Sequence, residues 1–422
     1  MPILLEEDLQ RPLPKMYRVR QQFDETCLTD IEGTVRRELV KPKICALVKP
    51  GMRVAVGVGS RGIQNLSRIV ETTVKGLKEL GAKPFIVSAM GSHGGGTEEG
   101  QREVLAGYGV TAERLGVPVV TTVDTVHLGD CANGRPVWFD RAAYEADLIV
   151  PINRVKLHTD FVGPIQSGLC KMLVIGLGNH KGCSAVHEEA PEVFADVIEE
   201  TARLILEKAP IGFGIAILEN AYDKTYAVEA VLAEGLIERE KELVQIARGN
   251  MPYIMLDEAD VIVCDEIGKD ISGAGFDPNI LGRSSVLKKF VLHIPKYQRL
   301  VLLDITPASH GNGIGVGLFD VITRNVADQL DLEAMYANAI ACNCLIDASV
   351  PCTVDDAETA VRVALKCCRN IDRDDPKIIR IKNTLHLGEI EVSEALLGEV
   401  AKNPRMSLIQ EWPSNKKQEG NT

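Results

Sequence analysis

The chain has 422 residues, 45% of them hydrophobic and only 5% aromatic, with 47 basic against 59 acidic side chains for a formal net charge of −12. A chain of this length can bury a large core and is expected to form two domains. Its acidic balance lacks the basic face that a phosphate backbone demands, so nucleic acid is excluded as an expected partner.

The N-terminal stretch MPILLEEDLQRPLPK carries acids where a secretory leader needs bases and an unbroken apolar run. No run of about 18 apolar residues follows, so a cytoplasmic protein without membrane association is expected. The 11 cysteines form no Cys-x-x-Cys pair. They read as small buried hydrophobes in a reducing compartment, not as a disulfide framework.

Short runs rich in Val and Ile alternate with longer amphipathic stretches, the pattern of parallel strands joined by crossover helices. The fold class is therefore α/β, with mainly parallel sheets flanked by helices. In chain order, strands are expected over 53–58, 83–87, 118–122, 148–151, 212–218, 261–265, 300–304 and 378–381. Helices are expected over 66–80, 191–207, 230–247, 321–341 and 355–368. In the first of these, Ile69, Val70, Val74, Leu77 and Leu80 recur on one face and Gly81 supplies the stop. The charged stretch LAEGLIEREKELVQIARG ends near residues 249–252 and a fresh strand opens soon after. This places one domain at 1–250, a second at 251–412, and a polar disordered tail at 413–422. The active site is expected in the cleft between the domains.

Ligands of open α/β sheets gather beyond the carboxyl ends of the strands. Three loops there are chemically dense. Gly57-Val-Gly-Ser60-Arg61-Gly62 follows the first strand, Gly91-Ser-His93-Gly-Gly-Gly96 the second, and Asn153-Arg-Val-Lys156-Leu-His158 the fourth. Glycine lets backbone approach a ligand, and Arg61 offers a bidentate grip on a carboxylate. The first loop lacks the third glycine and the following acid of a dinucleotide fingerprint, so a nicotinamide dehydrogenase is not supported.

Four of the eight histidines, His93, His158, His180 and His187, fall in or just after these loops, which points to acid–base or metal chemistry. His127, His293 and His386 lack polar company and read as structural. Lys171 is followed by Met172, Leu173, Val174 and Ile175, surroundings that desolvate an amine toward its uncharged, nucleophilic form and make it a candidate covalent anchor. His180, Cys183 and His187 have the spacing of one helix face and would suit zinc or iron, although Gly182 speaks against a helix there.

Taken together, the ordered set Ser60-Arg61, Gly-Ser-His93, Leu-His158, Ser-Gly168-Leu-Cys-Lys171 and His187 resembles the nickel-dependent lactate racemase family. Gly268-Lys269-Asp-Ile-Ser-Gly273 with Asp277-Pro-Asn279 looks like a landmark of one branch. The resemblance implies a nickel-pincer nucleotide, the Ni(II) pyridinium-3,5-bisthiocarboxylic acid mononucleotide, covalently bound to Lys171 through a thioamide, with Ser60 and Gly168 beside it and His187 as protein ligand to nickel. It further implies His93 and His158 as the acid–base pair, Arg61 as the clamp on the substrate carboxylate, and the nickel-pincer biosynthetic enzymes as partners. The implied reaction inverts a 2-hydroxy acid by proton-coupled hydride transfer: one histidine takes the hydroxyl proton, the C2 hydride passes to the pincer carbon, and its return to the other face gives the other stereoisomer.

The lactate enzymes carry an acid three positions before the arginine, where this chain has Val58, and their interval between the second histidine and the lysine is shorter. A substrate other than lactate is therefore implied, with Lys269 and His310 as candidates on the substrate side. Two alternatives stay open: a zinc- or iron-dependent lyase or hydrolase using His180, Cys183 and His187, and a non-catalytic protein that binds a small acid.

Overall fold

Runs of β-branched residues supply the strands. In the computed structural model, which describes residues 4–60 and 62–411, they assemble into two units, Asp24–Met251 and Met1–Phe23 with Pro252–Thr422. Arg61 and the expected tail at 413–422 lie outside the described residues.

In the unit Asp24–Met251 a six-stranded sheet runs, in spatial order, Val119–Val120, Lys83–Ser88, Arg53–Val58, Leu148–Arg154, Phe213–Glu219 and Thr225–Leu232. All neighbours are parallel except the last pair. The chain leaves Arg53–Val58 toward one edge and returns beside it with Leu148–Arg154 to proceed toward the other. The direction reverses between these two central strands, where an open α/β sheet leaves a crevice at its carboxyl edge. Val54, Val56, Ile86, Val150, Ile152, Phe213 and Ile215 are buried and pack with Ile69, Val70, Val74 and Leu77 of the helix Leu66–Glu79. Gly81, at φ +88°, ends that turn as the sequence predicts.

The second unit carries five parallel strands ordered Cys352–Val354, Val321–Thr323, Arg299–Ile305, Val261–Ile267 and Ile378–Ile381. Three antiparallel ones follow: Glu389–Ser393, Met16–Gln21 and Met406–Glu411. Because Met16–Gln21 is inserted between two C-terminal strands, residues 4–23 fold with this unit, and not with the first as expected.

Two helix expectations need correction. Residues 230–232 finish a strand, since Thr225–Leu232 pairs antiparallel with Phe213–Glu219, and the helix begins only at Leu236 after Gly235 at φ +89°. The stretch 321–341 opens as the buried strand Val321–Thr323, then breaks into helices Arg324–Gln329 and Leu332–Ala341. Thr323 and Asp331 cap these by accepting the Val326 and Ala334 N–H groups, as short-side-chain oxygens do at helix starts. The expected strand 118–122 shrinks to Val119–Val120. Among the described residues no helix is long and apolar enough to cross a membrane.

Candidate functional site

Three loops at the carboxyl edge of the first unit's sheet meet a helical segment over 169–187. That segment consists of Leu169–Lys171, a π-type turn over Met172–Gly176, and Asn179–His187. π-turns inside helices recur at functional sites because they re-aim side chains.

Ser60, at the end of the first strand, hydrogen-bonds through its hydroxyl to His93 Nδ1, while Tyr108 OH donates to the Ser60 carbonyl at 2.9 Å. The His93 loop is seated on the helical segment. The Gly91 N–H donates to the Gly176 carbonyl at 3.1 Å, and Ser92 Oγ lies 3.8 Å from Cys183 Sγ. A Cβ at Gly91, whose φ is +60°, would stand 3.1 Å from the Ile175 carbonyl oxygen, so glycine is what allows this close seat.

His158 is fixed on three sides. Its N–H donates to Gln166 Oε1 at 2.8 Å, its ring stacks on Phe161 with centroids 4.3 Å apart, and its Nδ1 accepts the Asp160 N–H at 3.1 Å. Its Nε2 meets Lys171 Nζ. The contact joins the expected anchor to one of the expected acid–base histidines.

His187 closes the helix Asn179–His187. Its Nδ1–H donates to the Cys183 carbonyl at 2.7 Å, with Cys183 Sγ at 3.4 Å. That bond fixes the tautomer and leaves the Nε2 lone pair to serve as a metal ligand. Burial would raise the Cys183 thiol, but its hydrogen bonds to His187 and Ser92 outweigh burial and pull it below its ordinary value. The same bond to Cys183 holds His187 above its ordinary value, against burial. Phe194 touches the His187 ring at 5.1 Å and Phe161 at 5.1 Å, so a chain of aromatic rings links His187 to His158.

The helix exists despite Gly182 because its start is anchored and its flank is tight. Asn179, at φ +52°, donates through Nδ2 to Asp140 Oδ2 at 2.8 Å, and burial pushes the Asp140 carboxyl up to about 6. A Cβ at Gly182 would stand 3.1 Å from the Trp138 carbonyl oxygen. Gly176 is tighter still, since a Cβ there would stand 2.7 Å from both the Ala89 carbonyl oxygen and Met172 Sδ. Gly176→Ala is expected to destabilise this unit by about 1–3 kcal/mol through overpacking, read as a lowered denaturant midpoint at unchanged slope.

The structure therefore brings Ser60, His93, His158, Lys171 and His187 to one edge of one sheet. His180 stands on the same helix seven residues before His187, about 10 Å along the axis, and its ring lies by Gly96. Among the described residues no three His, Cys, Asp or Glu groups gather closely enough to hold a metal ion, so the alternative site from His180, Cys183 and His187 is not assembled. Gly168 abuts the carboxyl group of Glu240, a residue that sequence reasoning passed over because it lies inside a charged helix of ordinary appearance.

In the other unit, Lys269 is not a plain surface lysine. Its Nζ donates to the Gly273 carbonyl at 2.6 Å and to Asn338 Oδ1 at 2.7 Å, and its N–H to Ser309 Oγ at 2.8 Å. His310 is exposed in the same turn at φ +47°.

Residues 13–195 match the model of the lactate racemase N-terminal domain. No curated protein matches the chain. Among solved structures, the lactate racemase apoprotein of Thermoanaerobacterium thermosaccharolyticum is similar at 14% identity, covering 87% of this chain and 94% of that one with a TM-score of 0.51. A protein of Thermotoga maritima, also 14% identical, covers 80% and 87% with a TM-score of 0.49. The fold is thus the mixed α/β fold of the lactate racemase apoprotein, and residues 13–195 are similar to the N-terminal domain of lactate racemases.

Proposed function

We propose that this protein is a racemase or epimerase of a small 2-hydroxy acid that works with a nickel-pincer nucleotide tethered to Lys171. The observation that carries this reading is the hydrogen bond between Lys171 Nζ and His158 Nε2, which joins the amine and a base at a sheet's switch point. The donor set fits the group: an amine able to form the tether, and a histidine with Nδ1 engaged and Nε2 available for a late transition metal. When bound, the group supplies a carbon that takes up and returns hydride beside nickel.

The chain's own residues do the rest. His93 and His158 are two separate bases, and inversion needs two because the hydroxyl of each stereoisomer faces its own partner. Ser60 holds the His93 ring through its Nδ1. Arg61 is assigned to the substrate carboxylate, which must stay held while the keto acid turns over. The Lys269 ammonium is already engaged by Gly273 and Asn338, so it serves its loop first and any contact with a longer acid second; His310 carries no such engagement and is the better candidate for that contact.

His93→Ala and His158→Ala are each expected to lower turnover by roughly 100- to 10,000-fold, the usual contribution of a general acid or base, while leaving nickel content unchanged. The direct test of the reaction is loss of optical activity across a panel of 2-hydroxy acids, followed by C2-deuterated substrate. A primary isotope effect is expected under conditions where chemistry limits the rate; a panel without turnover, or turnover without the isotope effect, removes the hydride reading.

A further inference from the structure

The helix Leu236–Asn250 buries Leu236, Ile237, Leu243, Val244 and Ala247, and in the middle of that apolar face stands Glu240, which is 0% exposed. A carboxylate buried among aliphatic side chains is costly unless it is bonded. Its partners are found at the start of the helical segment that carries Lys171. Oε2 accepts the Cys170 N–H at 2.9 Å. Oε1 makes no hydrogen bond of ordinary geometry, although the Leu169 N–H lies close enough to favour the ionised form.

A Cβ at Gly168 would come within 2.5 Å of the Glu240 carboxyl carbon, so only glycine admits the contact. From the other side, Asn153 Nδ2, at the end of the strand Leu148–Arg154, donates to the Gly168 carbonyl at 2.7 Å. That carbonyl also accepts the Met172 N–H at 3.1 Å. The turn 168–172 is therefore gripped from below by Glu240 and from the sheet by Asn153, with Lys171 as its one side chain turned to His158.

We propose that Glu240 is a positioning residue for Lys171, its carboxylate fixing the turn from which the amine is presented. The inference rests on the reading of Lys171 as the reactive amine. It also explains Gly168 through the carboxylate beneath it, with no need of a ligand contact.

Burial pushes the Glu240 carboxyl up to about 7 against the opposing backbone bonds of Cys170 and Leu169. The groups that face this corner are the Cys170 thiol, with Glu199 of the helix Phe194–Lys208 and Lys241 acting on that thiol. The strand Phe213–Glu219 meets it with Gly214 against Leu169. Because the native carboxyl is raised, the folded state binds its proton more tightly than the unfolded one, and this group's contribution to stability falls as pH rises from about 4.5 to about 7. Glu240→Gln removes that charge, keeps a carbonyl acceptor for the Cys170 N–H, and is expected to fold.

The test is acetylation of the full chain, free of nickel group, by an N-hydroxysuccinimide ester at low conversion, with Lys171 read by peptide mass against exposed Lys43. The expected result is a Lys171-to-Lys43 ratio lowered about tenfold in E240Q, the scale of a small misplacement of a reacting group. The quotient of wild type over E240Q is expected to grow as pH passes about 7. A purely structural role would change thermal stability and leave both the ratio and its pH profile where they are in wild type, and that result overturns the proposal. Should E240Q fail to fold, E240D keeps the carboxylate one methylene short and is read in the same way. Normal labelling of Lys171 in a chain that never acquires the nucleotide would fail the tether reading alone, whereas wild-type labelling in E240Q would fail this inference alone.

Discussion

Lys171→Ala is expected to leave a folded chain without adduct and without turnover. The side chain is only partly buried, so truncation costs little stability, whereas loss of the amine removes the covalent bond by which the group is proposed to be held. A fall of at least about 10,000-fold is expected, the scale seen when an essential nucleophile is deleted. Lys171→Arg is expected to be as inactive, because a guanidinium stays protonated and cannot form the proposed thioamide tether. Intact mass and racemisation of the same preparation check both; an adduct surviving in K171A would move the tether to another residue.

His187→Ala separates metal from tether. The expected product retains the nucleotide mass on Lys171 and loses nickel, with affinity down by more than about 100-fold, since even outer groups that merely orient a ligand are worth roughly 10- to 100-fold. Cys183→Ser is the matched control. The bond that fixes the His187 tautomer goes to the Cys183 carbonyl, which serine keeps, so nickel is expected to stay. Metal analysis of the two variants beside wild type decides the matter. Equal nickel in H187A would return the ligand role to another side chain, of which His180 is the first to try.

The strands that carry the site were legible because each is a short β-branched run ended by glycine or a polar loop: 53–58 was placed to the residue, and 83–87 and 148–151 within a few positions. The loops were legible for the same reason. What the sequence hid was pairing over long separations. Nothing local marks Met16–Gln21 as the partner of Glu389–Ser393 and Met406–Glu411, and Thr225–Leu232 alternates weakly enough to be absorbed into the helix after it. The candidate histidines and lysine were found by type and neighbourhood. Their orientation was not, because Asp160, Phe161 and Gln166 act on His158 through a loop with no periodicity, and Cys183 acts on His187 through a helix that Gly182 seemed to forbid. Glu240 was invisible for a simpler reason: a glutamate in the run IEREKE looks solvated until the opposite wall is known.

The measurement that bears most directly on the proposed function is metal content together with intact mass, on protein produced alongside the nickel-pincer biosynthetic enzymes. About one nickel per chain and a nucleotide-sized mass on the peptide containing Lys171 is the predicted result. An unmodified chain carrying zinc, iron or no metal would contradict it, and would leave the lactate racemase fold in this protein serving a different chemistry.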